Sequence, residues 1–332
     1  MKRKAFTLVE LLVVIAIIAL LMGILMPALA RVRQIAYRML CGSNMAGIGK
    51  AMLIYSNDNQ EEYPIAGGPK AFWTATGKIS DWKAQDGAHY GVPICQVTIT
   101  SSLFLLVKYA DVTTKQFVCK GDIGTKVFKL SDADIPMTGI EDVTDVWDFG
   151  DGVDTVPLPG QYCTYSYHMP YYMQDETPGL PIHAVSNPAS PICSDRNPYL
   201  DKNSRVFLEG SDCGAEETED APNWGGGNGA PHYRDVDKTG NSACHQREGQ
   251  NVLFNDQHVT FEKTPNCGIA KDNIWKCWTS TSPPSDPAER EGASSNMSPY
   301  CDVLKKTGGS MRPKAEKDAF LVGECNKEDC IW

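Results

Sequence analysis

One stretch dominates the pattern of polar and apolar positions. From Phe6 to Ala30 only Thr7 and Glu10 are markedly polar, and Leu11–Ala30 is an uncharged run of twenty residues. At 1.5 Å per helical residue that run spans about 30 Å, the thickness of a bilayer's hydrocarbon core. The pattern then turns amphipathic. Val32, Ile35 and Met39 fall on one helix face, and Met45, Ile48, Met52 and Tyr55 recur at spacings of 3, 4 and 3. Residues 31–55 are therefore expected to continue the helix and lay an apolar stripe on a globular body. Gly42, Gly47 and Gly49 weaken the helix without stopping it. The end is expected near Ser56-Asn57-Asp58-Asn59, ahead of Tyr63-Pro64.

Beyond residue 60 the periodic runs are short. Strands are predicted at Val97–Thr100, Gln116–Cys119, Tyr162–Tyr167, Arg205–Leu208, Val252–Phe254 and Val259–Phe261, the last two as a hairpin. A short helix is predicted at Ser101–Tyr109. Short, separated strands after one long helix imply an α+β fold: an antiparallel β-sheet head with long, disulfide-stapled loops, packed on the second half of the helix. The resulting organisation is 6–30 as a transmembrane half-helix, 31–60 as its amphipathic half, 61–279 as a β-rich head, and 280–332 as a Ser/Pro-rich loop and Cys-bearing tail.

Charge and cysteine usage sharpen this picture. The 332-residue chain carries −10. Residues 1–40 hold six basic residues against Glu10 alone, so the remainder carries −15. An acidic body lacks the basic patch that binding to nucleic acid requires. Basic residues just ahead of an apolar run place that end in the cytoplasm. Twelve cysteines are dispersed with no C-x-x-C pair, so a zinc–thiolate site is not expected, and disulfides formed in an oxidising compartment are.

Three readings of the N-terminus compete. A cleaved secretory signal has the right basic start and a small-x-small site at Ala28-Leu29-Ala30, but its apolar run would be too long. A simple membrane anchor explains the length and leaves Glu10 without a purpose, although a carboxylate in a spanning helix is costly unless it has a partner. The third reading uses the whole stretch Lys2-Arg3-Lys4-Ala5-Phe6-Thr7-Leu8-Val9-Glu10. It resembles the type IV prepilin signal, with residues 1–5 as the leader. The resemblance implies cleavage between Ala5 and Phe6 by prepilin peptidase, N-methylation of Phe6, and a role for Glu10 in subunit assembly. Ala5 departs from the family's usual Gly, and Pro27 falls where many pilin helices carry a proline.

Further segments extend the resemblance: Cys41-x-x-Asn44, Phe117-Val118-Cys119 with Asp122, Ser194-Asp195-Arg196-Asn197-Pro198, Gly249–Val259, and Asp272-Asn273-Ile274-Trp275. Together they look like the large type II secretion pseudopilin-like proteins of planctomycete type. Those carry a His, about nine residues, then Asp-Gly. Here His245 precedes Asp256 by ten intervening residues and Gln257 stands in place of the Gly, which leaves the turn's conformation open, because Gly would have allowed φ > 0 freely. The implied partners are other copies of the chain and other pseudopilins in a helical filament, prepilin peptidase, an inner-membrane assembly platform and the lipid bilayer. The implied location is the inner membrane, single-pass, with an extracytoplasmic head.

Signals of other chemistry are sparse. His245, Asp256 and His258 read better as hairpin hydrogen bonding than as a metal or acid–base cluster, because no third ligand stands close by in sequence. Gly225–Gly229 lacks the Lys-Ser/Thr of a phosphate loop, and no G-x-S-x-G or H-E-x-x-H occurs. Asp148, Asp151 and Asp154, spaced by glycines, are hard oxygen donors suited to Ca²⁺. Calcium in a head-domain loop is also what the pseudopilin resemblance implies, whereas a solvated acidic loop is the plainer reading. Two functions follow: a non-enzymatic filament subunit, or an anchored extracytoplasmic enzyme or carbohydrate- or partner-binding domain that never polymerises. Tyr171-Tyr172 would mark a surface for the second.

Overall fold

The computed structural model describes residues 8–67, 72–73, 96–122, 124–132, 141–149, 159–171, 180–198, 241–272, 274–275, 317, 319 and 321–322. Helix α1 (Leu8–Asp58) is one unbroken element that passes through Gly23 and Pro27. Its residues were selected for two different surroundings. From Leu8 to Leu40 almost every position is exposed, including the apolar ones. From Cys41 onward a stripe of Cys41, Met45, Ile48, Met52 and Tyr55 is buried at spacings of 4, 3, 4 and 3. The predicted stripe therefore begins later than its sequence pattern. Val32 and Met39 are 60% and 72% exposed, because burial against the head begins only at Cys41.

The head holds a two-residue parallel pair, β1 (Phe72–Trp73) with β2 (Gln96–Val97), followed by α2 (Ile99–Tyr109). Thr98 caps α2, its hydroxyl accepting from Ser101 N. Strands β3 (Tyr165–His168), β4 (Pro191–Asp195), β5 (Gln250–Phe254), β6 (Val259–Glu262) and β7 (Leu321–Val322) form one sheet of order β6-β5-β4-β3-β7, with every neighbouring pair antiparallel. The lower half of α1 lies across β4, β5 and β6, and α2 packs beside it.

The core between these layers is aromatic and aliphatic. Phe149 meets Phe104 and Phe117 edge-on at ring-centroid distances of 4.9 and 5.0 Å, above Met45, Ile48 and Met52. A satellite cluster of Val252, Phe254, Ile274, Trp275 and Leu321 covers the other sheet face. The α+β expectation, the 252–261 hairpin and the short helix are all present. Residues 116–119 differ: Thr114–Phe117 is a turn of 3₁₀ helix, with extended chain after it. Arg205–Leu208, the Gly225–Gly229 loop and the 280–287 linker lie outside the described residues.

Candidate functional site: the stem and its seam with the head

The apolar half of α1 is long enough to cross a membrane, and none of that stretch is buried against the head. Such a surface is unstable in water and requires either lipid or other apolar helices around it. Glu10 lies in its first turn, exposed between Val9 and Leu11. Ala5 and Phe6 lie outside the described residues. Where the apolar surface ends, Arg31 and Arg38 reach Glu248 of the head, and the Arg38 guanidinium sits 4.5 Å over the Phe261 ring. These contacts set the stem's angle at the base of the head.

Below this collar, segments far apart in sequence converge. A disulfide joins Cys41 of α1 to Cys119, closing a separation of 78 residues. Asn44 Nδ2 donates to the Val118 carbonyl at 3.5 Å, one turn further along. From the sheet side, Asn251 Nδ2 donates to the Arg38 carbonyl at 3.4 Å and to Asp195 Oδ2 at 3.1 Å, while its backbone N–H also reaches Oδ2 at 2.6 Å. His245 Nε2 lies 3.1 Å from the same Asp195 oxygen and 3.8 Å from Cys119 Sγ. A second buried pair stands close by. Arg196 donates through Nε and Nη2 to Asp122 Oδ2 at 3.1 Å, and also to the carbonyls of Gly160 and Cys163. These are the residues of the Cys41-x-x-Asn44, Phe117–Asp122, Ser194–Pro198 and 245–251 segments, gathered where the stem leaves the head.

The three residues considered together as a cluster are separated by the fold. Asp256 and His258 pair with each other on the exposed hairpin turn, and His258 stacks on Phe254 at 4.5 Å. His245 is buried at the seam instead. Its Nε2 faces both Asp195 and the bonded Cys119, so the ring has no separate nitrogen for each partner, as a relay between an acid and a nucleophile would need. The His245 environment could not be found from spacing, because its neighbours come from positions 41, 119, 195 and 251.

Asp148 is fully buried. Its carboxylate accepts from the Thr98 hydroxyl and from Phe149 N at 2.7 Å, within the core. Burial, resisted by the Thr98 and Thr100 hydroxyls, pushes its pKa up to about 7. Asp151 and Asp154 lie outside the described residues. Tyr171 is also buried, its hydroxyl donating to the Thr98 carbonyl at 3.1 Å, and therefore belongs to no binding surface. Of the six described cysteines, Cys41 and Cys119 are bridged; Cys163, Cys193, Cys244 and Cys267 are outside that bridge.

A long N-terminal helix laid on an antiparallel sheet is a pilin-like α+β architecture. The prokaryotic N-terminal methylation motif matches residues 1–26, so the chain carries the signal of type IV pilin-like and pseudopilin proteins, the substrates of prepilin peptidase. No curated protein and no solved structure matches the chain.

Proposed function

We propose that this protein is a structural, non-enzymatic subunit of a helical filament of the type II secretion pseudopilus or type IV pilus kind. The observation that carries this reading is the pairing of a methylation motif at residues 1–26 with a stem whose apolar surface is entirely uncovered by its own head. Prepilin peptidase cuts between Ala5 and Phe6 and the new Phe6 amine is methylated. The stem waits in the inner membrane, with the head on the extracytoplasmic side, until an assembly platform extracts it. In the filament, neighbouring stems replace lipid, and Glu10 pairs with the Phe6 amine of an adjacent copy. A misplaced subunit leaves that charge buried and alone, so the pair fixes axial register.

A second reading, an anchored extracytoplasmic domain that does not polymerise, shares the motif and the stem. Mass spectrometry of sheared, density-purified surface or periplasmic filaments separates the two. The chain recovered in filaments, beginning at Phe6, supports the subunit; its confinement to the membrane fraction while other pilins appear in the filaments supports the non-polymerising anchor.

A further inference from the structure

The stem–head seam gathers more donor chemistry than a disulfide needs. One ligand atom from each of Cys41, Cys119, Asp195 and His245 lies within 4.8 Å of the other three, and all four residues are buried. We propose that the dithiol form of this cluster, with the Cys41–Cys119 bond open, binds one Zn²⁺ ion through two thiolates, the His245 imidazole and the Asp195 carboxylate.

Geometry supports this assignment. Tetrahedral zinc, with bonds of about 2.3 Å to sulfur and about 2.0–2.1 Å to nitrogen or oxygen, holds sulfur and nitrogen about 3.6 Å apart and nitrogen and oxygen about 3.4 Å apart. Cys119 Sγ and His245 Nε2 stand at 3.8 Å, and His245 Nε2 and Asp195 Oδ2 at 3.1 Å. The remaining pairs lie within 4.8 Å, and the two sulfurs must separate, which loss of their bond permits. The surrounding polar groups also suit a metal. Asp195 Oδ1, beside the Oδ2 that faces His245, is buried with no hydrogen-bond partner, a costly state that binding of the ion through both carboxylate oxygens would relieve. Gly121 N donates to Cys119 Sγ at 3.3 Å and so stabilises a thiolate, while Asn251 orients Asp195 through two hydrogen bonds.

Loading is a proton exchange: Zn²⁺ replaces the two thiol protons, which leave to solvent. Metal and disulfide exclude each other. An external disulfide that takes two electrons from the thiolates closes the Cys41–Cys119 bond, departs as two thiolates and releases Zn²⁺. The cluster is then a two-state clasp between stem and head, and which state it holds depends on the redox conditions it meets.

The test uses the full chain in detergent, with Co²⁺ as the probe. After anaerobic reduction by a phosphine and removal of the reductant, Co²⁺ is titrated in and followed by absorption. The expected result is one equivalent showing sulfur-to-cobalt charge transfer and the intense visible bands of tetrahedral cobalt, displaced by Zn²⁺ and missing from the oxidised chain. Cys41→Ser/Cys119→Ser should abolish the charge-transfer band, which separates this site from other thiols freed by reduction. Asp195→Asn and His245→Gln should each weaken binding by more than the roughly 10–100-fold that loss of an outer-shell partner causes. The proposal is overturned if reduced wild-type chain, shown folded by near-ultraviolet circular dichroism, gives no tetrahedral cobalt spectrum. It is equally overturned if the double cysteine variant binds as wild type does.

Discussion

Gln257 sits at φ 71°, in the left-handed region, at the tip of the β5–β6 hairpin. A side chain there costs about 1–2 kcal/mol relative to glycine. The strain is offset locally: Gln257 Nε2 donates to the Tyr63 hydroxyl at 3.2 Å and to the Asn255 carbonyl at 3.3 Å. The departure from Asp-Gly at this turn thus marks a residue whose side-chain contacts hold a φ that Gly would take freely, a conformation the sequence left open. It did not reveal the environment of Asp148, which reads as one of several acids in an exposed run until the Thr98 cap and the phenylalanine cluster close over it. Two buried groups now oppose each other in pH. Asp148 is raised to about 7, so its contribution is complete below pH 4 and fades as pH rises through 7. His168 is lowered to about 4 by burial, resisted by its hydrogen bond to the Leu180 carbonyl, so its contribution is complete above pH 6.5 and fades as pH falls through 4. Wild type should therefore show a nearly flat stability profile between pH 4.5 and 6.5. Asp148→Asn should convert it to a rising one, with a slope approaching about 1.4 kcal/mol per pH unit. Denaturant melts of the head across this range measure it, and an equally flat profile for the variant would show that Asp148 is ionised in the fold.

At the scale of elements, α1 is one helix with two surroundings, and its glycines report which is which. A Cβ on Gly23 would meet nothing within 4 Å, whereas a Cβ on Gly49 would lie 2.5 Å from Gln257 Oε1 and 3.0 Å from both terminal carbons of Leu253. At Gly49 the stem lies too close to Leu253 of β5 and to Gln257 to admit a side chain without a shift. Gly49→Ala should therefore lower head stability by about 1 kcal/mol, the crowding of Leu253 outweighing the gain in helix propensity. Gly23→Ala should leave the head's denaturant midpoint unchanged. Equal behaviour of the two variants would mean that the stem does not seat on β5 at residue 49. The Cys41–Cys119 bridge pins the same region: by loop-closure entropy a 78-residue loop is worth about 4–5 kcal/mol. The recurrence of apolar positions every three or four residues made α1 legible in the sequence, and two short β-prone runs, Val252–Phe254 and Val259–Phe261, around the polar turn Asn255-Asp256-Gln257-His258 made the hairpin legible. Strand β4 was not legible. Pro191-Ile192-Cys193-Ser194-Asp195 is buried at every position, so it has no alternation to read, and its polar Ser194 and Asp195 look like loop residues until the structure buries them. The seam was equally hidden, since it joins one residue from each of several distant elements.

At the scale of the whole molecule, two features stand in tension. The head buries a conventional core and is held to the stem by a bridge, ion pairs and buried polar contacts. The stem above it presents apolar side chains from Leu8 to Leu40 with nothing of its own to cover them. A monomer in water cannot keep that surface exposed, so the stem requires lipid or other apolar helices around it. Glu10 is the one acid in that stretch, and its purpose decides between a polymerising subunit and a plain anchor. The most direct measurement is the yield of sheared filaments from cells carrying Glu10→Ala, with the intact mass of the membrane-retained chain recorded in parallel. Removing one partner of a dry ion pair costs about 3–5 kcal/mol, enough to abolish incorporation while leaving the head untouched. The expected result is a chain that begins at Phe6, remains in the membrane and is absent from filaments. Wild-type filament yield from Glu10→Ala would contradict it.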